Sequence, residues 1–407
     1  MAYQETKTTS YGGRIGKAFK GILAGFVMFI GGTVLLFWNE GNFVKSKRAL
    51  NEAQGVTVVV ESVASVDPAL EGKLIHATAR AETDDILSDV SFGVEVNAIS
   101  LKRKVEYYQW QESSRTEKRD KLGGGEEEIT TYTYSKGWSS RPVNSSEFRD
   151  PEYQNSNWTW LVFADEKSYA ENVTFGAYKL PDFFIQSISG EERVDAAPAA
   201  EQISKWTTAI KLHPNAPATT TAEDAADVNL VHVDGNTVYF GAHTAAPAIG
   251  DLRVTFTKVL PKEVSLLGKV NGETFSKYIA KNGKSISRLE SGAVSAEEMF
   301  AHAHNENKIL TWILRLVGVV LVCGGLRAIF AIFEAIAKVV PFLGSIVGAG
   351  VGLVCVVAGV AWSVIWIAIA WLAYRPLIGI PLLVIAVGSL YWLKTKGKKE
   401  MPAVNAA

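Results

Sequence analysis

The sequence predicts a membrane protein of mixed class, an α-helical region of four spans plus a large extracytoplasmic α+β domain. Three observations lead there. The stretch from Ile309 to Leu393 is apolar with very few charges. A second apolar run, Gly21 to Trp38, lies near the start. Between them, residues 39–308 are polar, with β-branched and aromatic runs punctuated by turn residues. A bilayer core takes about 20 consecutive apolar residues per helical crossing, and a backbone in lipid must satisfy its own polar groups, as a helix does.

Residues 1–20 form a polar tail with Lys7, Arg14, Lys17 and Lys20, expected in the cytoplasm by the positive-inside rule. Residues 21–38 make the first transmembrane helix. The run is longer than most signal-peptide apolar cores, and no small-x-small cleavage pattern follows Trp38. Pro341 and the Arg375-Pro376 pair divide the later block into crossings at 309–326, 342–374 and 376–393. The tail at 394–407 carries Lys394, Lys396, Lys398 and Lys399, which places it in the cytoplasm too. One crossing plus three is an even number, consistent with both termini cytoplasmic. The 39–308 domain is then periplasmic, in a bacterial inner membrane, or lumenal if eukaryotic. Lys45, Lys47 and Arg48 follow the first helix and weigh against this orientation.

Between the second and third crossings, residues 327–340 put Arg327, Glu334 and Lys338 on one helical face, with Glu334 and Lys338 in the favourable i,i+4 order. The segment reads as an interfacial amphipathic helix along the inner leaflet, or as an extension of the second crossing into the headgroups. Gly21-x-x-x-Gly25 and Gly348-x-x-x-Gly352 let helices approach closely, either within the chain or between copies of it. No crossing carries an acidic residue at mid-depth, so a proton relay or cation path built from side-chain charge is not expected. Trp362, Trp366, Trp371 and Tyr374 form an aromatic belt.

In the soluble region, the β-branched run within 51–66 and LIHATARAE from Leu74 are predicted strands. The alternating stretch Phe92–Glu112 is expected to pair with Ile129–Trp138, leaving the charged, glycine-rich segment between them as a long exposed hairpin loop. A short helix is expected near Pro181–Ile188. The Ala-, Thr- and Pro-rich stretch 191–228 reads as a loosely structured connection. Strands resume on either side of Asp234-Gly235-Asn236, a hairpin turn sequence. Ser295 and Glu298 make a capping box that starts a helix running into the second crossing. The outline GKLIHATAR plus long strand is paralleled by GNTVYFGA plus DLRVTFTKV, so two related halves, 51–194 and 229–300, are an expectation.

The chemistry-bearing residues are sparse. A formal net charge of −1 over 407 residues points to no nucleic-acid partner. Both cysteines, Cys323 and Cys355, lie in the membrane block, so the soluble region has no disulfide or cysteine metal site. His302 and His304 follow Glu297 and Glu298, but on a helix His304 points away from the Glu298–His302 face, and no zinc-protease, phosphate-loop, dinucleotide or nucleophile-elbow pattern occurs. No catalytic residue, cofactor or metal is assigned.

Several segments resemble the LUMA, or transmembrane protein 43, family. They are EGKLIHATA at Glu71, FGVEVNAISLKRKVEYYQWQE at Phe92, FRDPEY at Phe148, GDLRVTF with Gly250, Asp251 and Arg253, SAEEMF at Ser295, ILTWILR at Ile309, and AYRPL with Arg375 and Pro376. They run in the family's order over most of the chain. The resemblance implies four membrane helices, a large loop domain between the first two, and a scaffold rather than an enzyme. The Ala- and Thr-rich middle looks bacterial, so a bacterial member is expected. The function expected is a self-associating integral membrane scaffold organising membrane proteins or lipids through its soluble domain. The alternative is an oligomeric channel or small-solute conduit. Expected partners are the lipid bilayer and further copies of the chain.

Overall fold

The structure, a computed structural model, describes residues 3–215, 229–377, 379–381 and 384. The chain divides into two compact units. The first comprises Met1–Thr6, Glu52–Glu117 and Ile129–Phe300, and the second Lys7–Asn51, Lys118–Glu128 and Ala301–Ala407.

In chain order the strands are β1 (Tyr3–Thr9), β2 (Val58–Val60), β3 (Leu74–Thr83), β4 (Ile86–Asp89), β5 (Val94–Asn97), β6 (Ser100–Asp120) and β7 (Glu126–Ser139). They continue as β8 (Glu166–Tyr169), β9 (Val173–Phe175), β10 (Tyr178–Lys179), β11 (Glu192–Arg193), β12 (Val231–Asp234), β13 (Thr237–Phe240) and β14 (Leu252–Val259). Last come β15 (Lys262–Asn271), β16 (Thr274–Ser276), β17 (Tyr278–Ile279), β18 (Ser285–Ile286) and β19 (Arg288–Ser291). The helices are α1 (Tyr11–Val56), α2 (Asp182–Ile185), α3 (Ala200–Lys211), α4 (Ala296–Ala337) and α5 (Pro341–Tyr374).

The first unit is built on two sheets. One runs β1-β7-β6-β14-β13-β12, with β8 on β6 and β11 on β14; the other runs β19-β15-β16-β10-β9-β3-β2. Each draws strands from both of the sequence halves expected at 51–194 and 229–300. Antiparallel β6 and β14 register Val105 with Val254, and antiparallel β3 and β15 register Ala77 with Leu266. The halves are therefore interleaved rather than two separate folds, because β6 pairs with β14 and β3 with β15 across them.

Each sheet has its own apolar core. Alternation along β3 and β15 buries Ile75, Ala77, Val264 and Leu266 with Phe175, Tyr178 and Phe275. On the other sheet, Phe92, Phe240 and Phe256 gather around Trp206 of α3, with the Phe92 and Trp206 rings 4.9 Å apart. That helix lies within the stretch read as a loose connection. Ile203, Trp206 and Ile210 recur at helical spacing and carry it onto the sheet. Residues 216–228 lie outside the described residues. The charged segment after Glu112 extends the hairpin rather than forming its loop, since β6 runs on to Asp120 and β7 begins at Glu126. Gly123 and Gly124 make the turn at φ +86° and +83°.

The second unit contains three helices long and apolar enough to cross a membrane among the described residues, Tyr11–Val56, Ala296–Ala337 and Ile346–Tyr374. Among the described residues this corrects the four-span layout to three candidate spans; the crossing expected at 376–393 lies mostly outside them. Three spans, the number among the described residues, carry the chain to opposite faces, which corrects the placement of both termini in the cytoplasm. A contact also conflicts with the charge scheme. The charge scheme put Arg14 and Lys338 on one face and residues 39–308 on the other, yet Asp120 pairs with Arg14 at 2.8 Å and with Lys338 at 3.6 Å.

Two further boundaries move. Asn39, Glu40 and Gly41 do not end the first helix; α1 continues to Val56, about 69 Å in all. Likewise residues 327–337 continue α4 without a break. Ser295 and Glu298 close a reciprocal cap at its start, with the Ser295 amide donating to Glu298 Oε2 at 3.0 Å and the Glu298 amide donating to Ser295 Oγ at 3.3 Å.

Candidate functional site

Close packing of α1 against α4 begins with glycines. A Cβ built on Gly25 would stand 2.8 Å from the Gly325 carbonyl oxygen, and one on Gly32 would stand 2.9 Å from the Gly318 carbonyl oxygen. Both neighbours are backbone, which cannot give way as a side chain can. The same two helices cross at Asn39, whose Nδ2 donates to the Thr311 carbonyl at 3.0 Å, and at Asn307, whose Nδ2 donates to the Phe43 carbonyl at 3.2 Å. Trp362 of α5 donates its Nε1 proton to Thr33 Oγ1 at 3.0 Å. Backbones this close leave α1 no room for water around a polar side chain facing inward.

Glu40 is such a side chain, and it is 0% exposed. Arg315 Nε lies 2.6 Å from Glu40 Oε1. On the other oxygen, Trp371 Nε1 donates at 2.9 Å and Arg375 Nη2 lies at 3.4 Å. Trp371 and Arg375 are four residues apart, so the end of α5 presents both to the same carboxylate. The guanidiniums also stack on rings, Arg315 at 4.7 Å from the Trp312 centroid and Arg375 at 4.5 Å from that of Phe43. Burying a carboxylate is unfavourable unless it is paired and hydrogen-bonded, and here three donors converge on it. One carboxylate against two guanidiniums leaves the cluster with a net positive charge.

Two cavities flank the cluster. One, of about 370 Å³, is lined by Phe43, Val44, Lys47, Arg48, Asn51 and residues 374–377. The other, of about 200 Å³, shares Phe43 and Arg375 with it and adds Lys308, Thr311, Trp312, Arg315 and Trp371. Among the described residues no carboxylate lines either cavity.

Of the expected helix-packing glycines, Gly25 packs within the chain as above. Gly348 approaches the Glu334 carboxyl carbon at 2.7 Å and Gly352 approaches Arg327 Nη1 at 3.4 Å, both measured from a built Cβ. Gly21 has nothing within 4 Å. Arg327, Glu334 and Lys338 line one cavity with Asp120, Gly348 and Gly352. Glu334 and Lys338 pair at 2.8 Å. That face of α4 looks toward α5 and the hairpin turn, while Arg14 holds the turn by donating to the Gly124 and Gly125 carbonyls, both at 3.3 Å.

Gly250, Asp251 and Arg253 sit in the two-sheet unit. Asp251, 2% exposed, accepts from Trp160 Nε1 at 3.0 Å, Tyr239 Oη at 2.6 Å and the Ala248 amide at 2.8 Å. Burial first, then the bond to Asp251, pushes the Tyr239 phenol well above its ordinary value. Gly250 has φ +101°, and a Cβ there would meet Trp158 Nε1 at 2.5 Å, so only glycine fits. Arg253 pairs with Glu106 at 2.8 Å and lies 4.3 Å from the Trp138 centroid. In the FRDPEY segment, Tyr153 stacks on Tyr134 at 4.2 Å. Asp251 and Arg253 are held in structural networks, and no three His, Cys, Asp or Glu side chains among the described residues are grouped to hold a metal.

The enclosed cluster brings together two of the segments that resemble the family, since ILTWILR supplies Arg315 and AYRPL supplies Arg375. The sequence profile described as Transmembrane protein 43 matches residues 107–376, more than half of the chain. The chain belongs to this family. Transmembrane protein 43 of Mus musculus is 28% identical over 378 residues, covering 89% of this chain and 87% of that protein. The Homo sapiens protein of the same name is 27% identical over 390 residues, covering 92% and 90%. A Transmembrane protein 43 homolog of Drosophila melanogaster is 24% identical over 378 residues, covering 91% and 93%. No solved structure matches.

Membership makes the chain an integral membrane protein with a large soluble domain, in a family that is not a known enzyme family. The expectation of a bacterial member is corrected: these matching relatives are animal proteins, and alanine and threonine content was too weak a signal of source. Sequence reasoning also missed Glu40. It was read as lying beyond the first helix, although Glu40, Phe43 and Lys47 share a helical face and nothing between Trp38 and Val44 stops a helix.

Proposed function

We propose that the protein is a self-associating membrane scaffold, with the three-helix unit as its anchor and the two-sheet unit as the surface that gathers partner proteins. The observation that carries this reading is the enclosure of Glu40 by Arg315, Arg375 and Trp371, one contact set drawn from all three candidate spans. Charges committed to one another in this way fix helices and do not move along a path. A conduit needs polar groups lining a passage and open to what passes. The Glu40 carboxylate, wholly enclosed, offers no such lining.

Cross-linking of the full chain in native membranes, followed by mass measurement in detergent, tests self-association. Ladders of discrete multiples and a particle heavier than one chain support the reading. A single-chain particle with no cross-linked species overturns it.

A further inference from the structure

We propose that the end of the helical unit around Arg375 binds one anionic phospholipid, with its phosphate among Lys47, Arg48 and Arg375 and an acyl chain along Phe43, Val44 and Leu377. The site does not depend on self-association.

Three features of the cavity identify the occupant. First, the charge is one-sided: Lys47, Arg48 and Arg375 line it with no carboxylate among the described residues. Glu40 sits behind Arg375 but is already shared with Arg315, so the pair of guanidiniums keeps an unneutralised positive charge. An anion is the missing complement, and a guanidinium fork suits phosphate oxygens. Second, the remaining wall is apolar. Leu377 is 91% exposed and Phe43, Val44, Pro376 and the Tyr374 ring complete the lining. Inorganic phosphate has no use for such a wall, whereas an acyl chain does. Third, the position along α1 fits a headgroup. The apolar run ends at Trp38, and Lys47 and Arg48 follow it by about two and a half turns, about 14 Å. Basic residues at this level attract anionic lipid. Lys47 and Arg48 are exposed, and Arg48 donates to the Tyr374 carbonyl over a long 3.5 Å, so both heads are available to a ligand.

Native mass spectrometry of the detergent-solubilised full chain, titrated with dioleoyl phosphatidylglycerol or dioleoyl phosphatidylcholine, reads bound lipid directly. The expected result is a single tightly retained phosphatidylglycerol and weaker phosphatidylcholine. Lys47→Gln and Arg48→Gln should each weaken phosphatidylglycerol about fivefold, with Lys47→Arg retaining it. Lys167→Gln with Lys205→Gln, two exposed lysines of the two-sheet unit, should leave it unchanged. Equal retention of the two lipids, or no effect of K47Q and R48Q, overturns the proposal. Displacement of the lipid by millimolar inorganic phosphate as effective as by phosphatidylglycerol would also overturn it, assigning the site to a free anion.

Discussion

Glu40 and Arg315 are 275 positions apart in the chain, and their side chains meet at 2.6 Å with the carboxylate wholly enclosed. The contact joins the first candidate span to the second, and Arg375 brings in the third. Removing one member of a buried pair strands the others without water or partner, at a cost of about 3–5 kcal/mol. Glu40→Ala should therefore lower the thermal midpoint of the full chain in detergent sharply. Adding Arg315→Met should return part of the loss, because it removes one stranded cation. A melt unchanged by E40A would show that the cluster does not hold the helices.

Glycine packing gives a second prediction. A Cβ on Gly25 would collide with backbone of α4, while one on Gly21 would meet nothing. Gly25→Ala should destabilise the helical unit by about 1–3 kcal/mol, as overpacking does, and Gly21→Ala should be neutral within experimental scatter. Equal effects at both positions would contradict intramolecular packing at Gly25.

How much of this was legible in the sequence depended on the kind of signal. Strands β3 and β7, and the turn at Gly235, followed from β-branched and aromatic runs beside turn residues, because strand period and turn chemistry are local. Helix α3 was hidden by the alanines and prolines around it, though Ile203, Trp206 and Ile210 carried the helical period. The pairing of β6 with β14, and the meeting of Glu40, Arg315 and Arg375, join residues far apart in the chain. Nothing local announces such contacts. The expected placement of both termini in the cytoplasm failed for a related reason. It rested on counting lysines at helix ends, and that count could not see Asp120 returning to Arg14 and Lys338.

Arg14, nearly buried, holds the β6–β7 turn through Asp120 at 2.8 Å, Glu126 at 3.5 Å and two backbone carbonyls. Arg14→Ala should raise amide hydrogen exchange in residues 118–128 at least severalfold, with β3 and β15 unaffected. Local opening of this sort reports the stability of one segment rather than of the whole fold. Unchanged exchange in the turn would show that Arg14 does not secure it.

Glu106 yields a pH prediction. Burial pulls its carboxyl upward, but hydrogen bonds from Lys104 and Arg253 outweigh it and hold the group below its ordinary value of 4.5. A depressed carboxylate contributes stability that is present above the unfolded value and lost as pH falls through the folded one. Denaturant midpoints for the two-sheet transition should fall as pH drops below 4.5, and Glu106→Gln should flatten that slope. An identical acid slope in E106Q would remove Glu106 from the account.

The scaffold reading stands or falls on copy number in a membrane. Stepwise photobleaching of fluorescently tagged full chain, at low density in lipid bilayers, counts copies per particle directly. The account predicts particles that bleach in a reproducible number of steps greater than one, in wild type and in G21A alike. Single-step bleaching throughout would contradict it.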